Sequence, residues 1–335
     1  SPERHFRKFA LYVSFFPQLV AGPIERSERL LPQFHKEITF NYQRVRDGLI
    51  LMVWGMFKKV VIADRLAEYV NLVYNQHQDF EGVQNLIATI FFTFQIYCDF
   101  SGYSDIAIGA ALVMGYRLMT NFRRPYLATS IREFWQRWHI SLSTWFRDYL
   151  YIPLGGNRVV KWRWYFNLFI TFLISGLWHG AAWTFVIWGA LHGLYLIFGI
   201  FSKNMEKKFF PLFAVRNKNL AYIFNVLVTF ILVVFAWIFF RANNINHAFD
   251  IIGSMFTGSY SNIQVNLFEF KVDFLISFVS IGLLLAFEIF DERLNWSSKL
   301  VKLPTMIKWG LLIFVLLSIM ILGKWNEVDF LYFQF

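Results

Sequence analysis

The sequence predicts an all-α polytopic membrane protein, and three observations carry that reading. Hydrophobic residues make up 57% of the 335-residue chain and charged residues only 16%, whereas soluble domains are nearer a quarter charged. Six apolar runs approach the roughly 20 residues that a helix needs to cross the hydrocarbon. They are Leu86–Met114, Trp164–Leu177, Ala182–Phe201, Leu220–Phe240, Val272–Phe290 and Met306–Leu322. Basic residues gather in the loops Arg117 to Arg163 and Lys203 to Lys218 and thin out in Ala242–Lys271, the positive-inside pattern.

Taken in order, Val13–Ala21 is too short to span and holds Pro17, which suits a re-entrant or interfacial piece. Gly48–Ala63 carries Lys58 and Lys59 in its middle. It either spans with that pair against protein or water, or lies in the interface. Within Leu86–Met114, Asp99 and Asp105 flank Ser101, Tyr103 and Ser104. Carboxylates at such depth should pair with a cation or hydroxyls, so a structural polar cluster is expected there. Cys98, the single cysteine, reads as a small core residue and excludes a disulfide framework.

The charge pattern also sets a topology. The two basic loops bracket one helical hairpin, Trp164–Phe201, an even number of crossings, so both are expected in the cytoplasm. The acidic stretch Glu68–Glu81 and the chain end then fall outside. The formal net charge of +10 is accounted for by this placement, and nucleic-acid binding is not expected. No repeat or linker divides the sequence, which reads as one integral domain over residues 1–335. Because Ser1 is not an initiator methionine, further N-terminal helices are expected upstream.

The middle loop is amphipathic. Ser130-Ile-Arg-Glu133 has capping-box spacing, and a helix is expected from Ile131 to about Leu150, stopped by Pro153 and Gly155-Gly156-Asn157. Ile131, Phe134, Trp138, Leu142, Trp145 and Tyr149 form an apolar stripe at steps of three and four. Arg132, Gln136, His139, Ser143 and Arg147 form a polar one. Such a helix lies at the interface or lines a wet cavity, with His139 either solvated or facing that cavity.

His179 is the most informative residue. It sits in the apolar stretch Leu173–Phe185 with no charge within a helical turn. An ionisable group at membrane depth marks a functional site by default, although a neutral imidazole bonded to a neighbouring helix accounts for it equally well. Gly176 and Gly180 beside it suit close helix packing or close substrate approach. His192 would point away from His179 on a continuous helix and reads as structural. Arg123, Arg124, Arg132 and Arg137 suit donor phosphates, topology or anionic lipid alike.

Four strings carry a family resemblance. Phe134-Trp-Gln-Arg-Trp-His-Ile-Ser-Leu-Ser-Thr-Trp-Phe-Arg-Asp-Tyr149 continues into Ile152-Pro-Leu-Gly-Gly-Asn-Arg158. Leu177-Trp-His-Gly-Ala-Ala-Trp183, Phe16–Glu25 and Tyr97–Asp105 accompany it. Together they resemble membrane-bound O-acyltransferases, in the branch that acetylates alginate and other cell-envelope polymers. The resemblance implies many tilted helices around a funnel, with His179 as catalytic histidine and His139 as its second. It implies that Trp138, Ser143, Asp99, Asp105, Trp178 and Arg132 serve substrate or the funnel wall. The tail Phe330–Phe335 resembles the branch's aromatic motif, which makes Tyr332 an acyl relay; an interfacial aromatic belt is the plain alternative.

The implied donor is a cytoplasmic thioester, acetyl-CoA, with no bound cofactor or metal. The implied partners are an extracytoplasmic SGNH-like acyltransferase, polysaccharide biosynthesis machinery and the lipid bilayer. The implied location is the bacterial cytoplasmic membrane, and the acceptor polymer stays open. The competing readings are a transporter with intramembrane His and Asp residues, a lipid-directed acyltransferase of the same fold, and an inactive scaffold. A transporter should have paired broken helices or inverted repeats, and the sequence has neither.

Overall fold

Each of the six apolar runs forms a helix, as backbone groups in hydrocarbon must be satisfied within their own segment. The architecture is that of a computed structural model describing residues 5–19, 22–80, 82–209, 217–257, 271–295, 299, 303–325 and 330–331. Among the described residues there is no strand, and the protein is an all-α polytopic membrane protein. The chain forms two compact units. One holds the described residues within 1–68, 94–121 and 268–334, the other those within 69–93 and 122–267.

The helices run in order: α1 Phe6–Ser14, α2 Phe16–Leu19, α3 Ser27–Leu30, α4 Tyr42–Met56, α5 Asp64–Asn75, α6 Gly82–Met114, α7 Ile131–Arg137 and α8 Ile140–Phe146. After these come α9 Lys161–His179, α10 Trp183–Phe209, α11 Lys218–Arg241, α12 Ile245–Thr257, α13 Lys271–Leu294 and α14 Thr305–Leu322. Among the described residues four stretches, Trp183–Ser202, Lys218–Arg241, Val272–Leu294 and Thr305–Leu322, are long and apolar enough to cross a membrane. Helix α6 has 33 residues, about 50 Å of rise. Its polar residues, like those of α9, keep it below that apolarity.

In the first unit, α4 and α6 pack through glycine. A Cβ on Gly55 would stand 2.5 Å from the Gly102 carbonyl oxygen, and one on Gly109 2.5 Å from that of Gly48. Two glycine pairs seven residues apart thus let the backbones touch, as small residues do between membrane helices. Helix α4 runs on through a π-helical turn, Phe57–Ala63, which carries Lys58 and Lys59 into the protein interior. In the Gly48–Ala63 stretch the lysine pair thus stands against protein, with Lys58 buried. Phe15, Leu30, Ala111 and Leu118 make a separate core cluster.

The second unit contains the middle loop, and here one expectation is corrected. The helix expected over residues 131–150 is broken. Helix α7 ends at Arg137, and His139 takes a left-handed conformation, φ 40° and ψ 55°, before α8 begins. A π-helical turn, Arg147–Tyr151, follows α8. The break rotates the later residues off the helical register. Ile131, Phe134, Trp138 and Leu142 are buried as the stripe requires, yet Trp145 and Tyr149 are exposed. His139, placed on the polar stripe by spacing, is instead buried at 4% exposure.

The ends of this segment obey their local signals. Ser130 Oγ accepts a hydrogen bond from the Glu133 N–H at 3.2 Å, while Glu133 reaches back to the Thr129 N–H at 2.7 Å. Beyond the π turn, Gly155 and Gly156 hold φ of 101° and 55°, a conformation that glycine adopts without a Cβ clash.

Candidate active site

Helix α9 ends at His179, and α10 starts four residues later at Trp183. The turn is tight because the two helices meet through glycine. A Cβ on Gly176 would lie 2.2 Å from the Phe185 carbonyl oxygen, and one on Gly189 2.3 Å from that of Phe172. The packing role of Gly176 is therefore the one realised.

The His179 imidazole sits among aromatic rings. Trp188 stands edge-on to it with centroids 5.1 Å apart, Phe240 lies at 5.2 Å and Trp178 at 5.0 Å. Trp188 belongs to α10 and Phe240 to α11, so three helices close on the ring. Trp237, one turn before Phe240, packs on Trp188 at 5.9 Å and on Trp138 at 5.1 Å. Trp138, Trp188 and Trp237 are each at most 1% exposed.

Trp138 precedes the left-handed His139, which the loop break turns inward. Burial, and then the nearby His179 imidazole, push the His139 pKa well below its usual range, so this ring is neutral at physiological pH. A left-handed residue other than glycine stores about 1–2 kcal/mol of strain. The structure thus brings the two predicted histidines into one neighbourhood, His139 buried and His179 half-buried.

His192 shares that neighbourhood, contrary to the divergence expected on a continuous helix. The break between α9 and α10 removes the assumed geometry, and Trp188 touches the His192 ring at 5.0 Å as well as that of His179. Trp135 Nε1–H donates to His192 Nδ1 at 3.2 Å, and His192 is fully buried.

The other candidate residues divide. Ser143 is half-buried, with its hydroxyl donating to the Trp138 carbonyl at 3.2 Å. Trp178 is 53% exposed, and Arg132 is exposed. Arg137 pairs with Glu133 at 2.6 Å. Burial alone would raise the Glu133 carboxyl, but bonds from Thr129 and Arg137 hold it below the usual carboxylate range. Tyr332 lies outside the described residues.

Asp99 and Asp105 belong to the first unit, in the polar cluster that their depth demanded. Lys59 Nζ lies 2.8 Å from Asp99 and 2.7 Å from Asp64, and Lys58 Nζ lies 2.8 Å from Asp105 and 2.9 Å from Ser101 Oγ. The Leu331 N–H donates to Asp99 at 2.8 Å. Arg65 pairs with Asp273, and Tyr97 bonds Glu288. Among the described residues no group of three His, Cys, Asp or Glu side chains is arranged to hold a metal.

Sequence reasoning missed Trp188, Trp237 and Phe240. Their only signal was helical spacing, Trp188 four residues before His192 and Trp237 three before Phe240.

Comparison with known proteins adds a family and its members. A model of the membrane-bound O-acyltransferase family matches residues 4–242. The peptidoglycan O-acetyltransferase of Helicobacter pylori is 44% identical over 254 residues, 75% of this chain and 47% of that protein. The probable alginate O-acetylase AlgI of Pseudomonas syringae pv. tomato is 45% identical over 267 residues, 78% of this chain and 49% of its own. A teichoic acid D-alanyltransferase of Bacillus subtilis is 29% identical over 254 residues, covering 70% and 61% respectively. The chain spans about half the length of the first two of these relatives.

Proposed function

The chain belongs to the membrane-bound O-acyltransferase family, and from that premise we propose that it is an O-acetyltransferase acting towards a cell-envelope polysaccharide. The likeness to proteins named for peptidoglycan and alginate acetylation supports acetyl as the group carried. The observation that carries the reading is the pair His179 and His139, with His139 buried in a strained backbone conformation and the half-buried His179 imidazole near enough to lower its pKa.

The chemistry asks for a neutral base in a dry site. In this proposal His179 takes the proton from an acceptor hydroxyl as its oxygen attacks the thioester carbonyl. The carbon–sulfur bond then breaks, and the departing thiolate takes the proton from the imidazolium. Such general-base assistance contributes roughly 10²–10⁴-fold. His139 serves beside it, orienting the acyl carbonyl or assisting the base. The buried indoles of Trp138, Trp188 and Trp237 and the Phe240 ring limit water on one side of the pair, which strengthens charge interactions there.

The charge topology adds direction. On the positive-inside pattern α9 leaves a cytoplasmic loop, so His179 stands towards the outer half of the bilayer. The donor is acetyl-CoA from the cytoplasm, and the acetyl group leaves outward. Tyr332 relays it to an extracytoplasmic SGNH-like transferase that works with the polymer machinery of a bacterial cytoplasmic membrane.

Replacing His179 with Ala in the membrane-embedded protein tests the central claim. Acetyl transfer from labelled acetyl-CoA should fall at least about a hundredfold, with unchanged protein per unit of membrane. Full activity in that variant refutes the proposal. Mass spectrometry of the C-terminal peptide after incubation with donor tests the relay, and a Tyr332 that never gains an acetyl group removes that step.

A further inference from the structure

In the first unit, where α4 begins and α6 ends, lies a cavity of about 600 Å³, within the range that holds small ligands. Three arginines from three different segments line it: Arg29 on α3, Arg44 in the first turn of α4, and Arg117 just past α6. Ile108 and Leu112 of α6 give it an apolar wall, and Gln43 adds an amide.

The charge in this cavity is unbalanced. Asp47 is the one carboxylate among the lining residues, and Arg46 already binds it at 2.7 Å. Arg29 has a distant partner, Glu25 at 3.8 Å. Arg44 donates one N–H to the Thr39 carbonyl at 2.9 Å, but its buried Nε has no partner among the described residues. Plain positive-inside topology does not require a buried guanidinium nitrogen.

The backbones of two of these arginines are tied together. The Gln33 amide donates to the Arg29 carbonyl at 3.1 Å and to the Arg117 carbonyl at 2.9 Å, and its oxygen accepts the Arg117 N–H at 2.8 Å. One side chain thereby ties the backbones of two of the three arginines across the cavity. Three arginines lining one cavity, two of them exposed and Arg44 half-buried, repel one another, and an anion among them relieves that repulsion. Their planar forks match the oxygens of a phosphate group, whose charge offsets more of theirs than a carboxylate does.

We propose that this cavity binds a phosphate group through Arg29, Arg44 and Arg117. A soluble phosphate ester and an anionic phospholipid headgroup share that chemistry.

The test uses the full chain in phosphatidylcholine nanodiscs, in two arms. In the first, inorganic phosphate is titrated against chloride at constant ionic strength and thermal unfolding is followed. In the second, nanodiscs contain added phosphatidylglycerol, and retained lipid is counted by native mass spectrometry. Arg44→Gln and Arg117→Gln should each weaken the interaction about tenfold, while Arg163→Gln, a basic residue elsewhere, leaves it unchanged. Phosphate protection that these variants lose supports the site with a soluble ligand. Phosphatidylglycerol retention that they lose, with phosphate inert, supports it with a lipid one. No preference for either probe, or an equal loss in Arg163→Gln, overturns it. Should the arginine variants not fold, Asp47→Asn decides the matter, since it must tighten binding, and an unchanged affinity overturns the proposal.

Discussion

The rings of His179 and Trp188 meet edge to face, centroids 5.1 Å apart and planes at 89°. The same indole touches His192 at 5.0 Å and Phe240 at 5.2 Å, so one residue of α10 supports two histidines and a neighbouring helix. Edge-to-face pairs of this kind contribute about 0.5–1.5 kcal/mol each beyond their burial.

Trp188→Ala should therefore destabilise the protein by about 3–5 kcal/mol. Trp188→Phe should recover most of that loss, because a phenyl ring fills the same cleft between His179 and His192. Thermal unfolding in detergent checks both. Equal melting temperatures for the two variants would show that ring packing is not what Trp188 supplies.

At residue 139 the usual ranking of small residues should invert. The backbone there is left-handed, φ 40°, a region glycine enters freely and alanine does not. Both substitutions remove the imidazole, so only the backbone differs. His139→Gly should melt higher than His139→Ala, by about 1 kcal/mol, and both should lose acetyl transfer. An alanine variant as stable as glycine would remove the strain argument.

Lys58 and Asp105 offer a cycle. Lys58 is 4% exposed and bonds Asp105 at 2.8 Å. Removing one partner of a buried pair costs about 3 kcal/mol or more, chiefly because it strands the other charge. Lys58→Met should cut the yield and stability of the folded protein, and adding Asp105→Leu should restore much of both. Denaturation curves of the single and double variants measure the coupling. Additive losses would mean the pair is not coupled.

His247 predicts a pH dependence. Its ring packs on His77 with centroids 4.2 Å apart. Burial, followed by His77 and Arg241, pushes its pKa down to about 4, with Asp250 opposing. The folded state thus binds this proton less readily than the unfolded chain, whose histidine titrates near 6.5. Its contribution is present above about pH 6.5 and is lost as the pH falls towards 4. The melting temperature should drop through that window, and His247→Gln should flatten the drop. An identical pH profile in the variant rules the residue out as its source.

The glycine crossing of α4 and α6 sets the last expectation. A side chain at Gly55 meets the Gly102 carbonyl at 2.5 Å, while one at Gly282 meets nothing within 4 Å. Gly55→Leu should abolish accumulation of folded protein, and Gly282→Ala should be silent or stabilise by up to about 1 kcal/mol. Fluorescence-detected size exclusion of the two variants makes the comparison.

Local signals were legible where one residue type answers one local need. Ser130 and Glu133 cap a helix start wherever they stand, and Gly155 and Gly156 accept positive φ in any surroundings. The apolar runs gave the helices for the same reason. The break at His139 had no such sign, because a left-handed histidine is imposed by packing rather than by its own preference. Lys58 and Lys59 were visible as charges in an apolar run, but which carboxylates would answer them depended on a helix crossing that spacing does not encode.

Composition and periodicity determined by themselves that this chain is helical, membrane-embedded and built with ionisable groups at depth, since the bilayer penalises every alternative. The quoted motifs determined the family and named His179 and His139. Tertiary structure alone decided that His139 turns inward, that Trp188 supports both His179 and His192, and that Lys59 joins Asp99 to Asp64. The reason is physical. Hydrogen bonding and helical period act within a few residues of chain, whereas ring stacking, ion pairing and glycine contacts act between segments whose meeting only the folded packing creates.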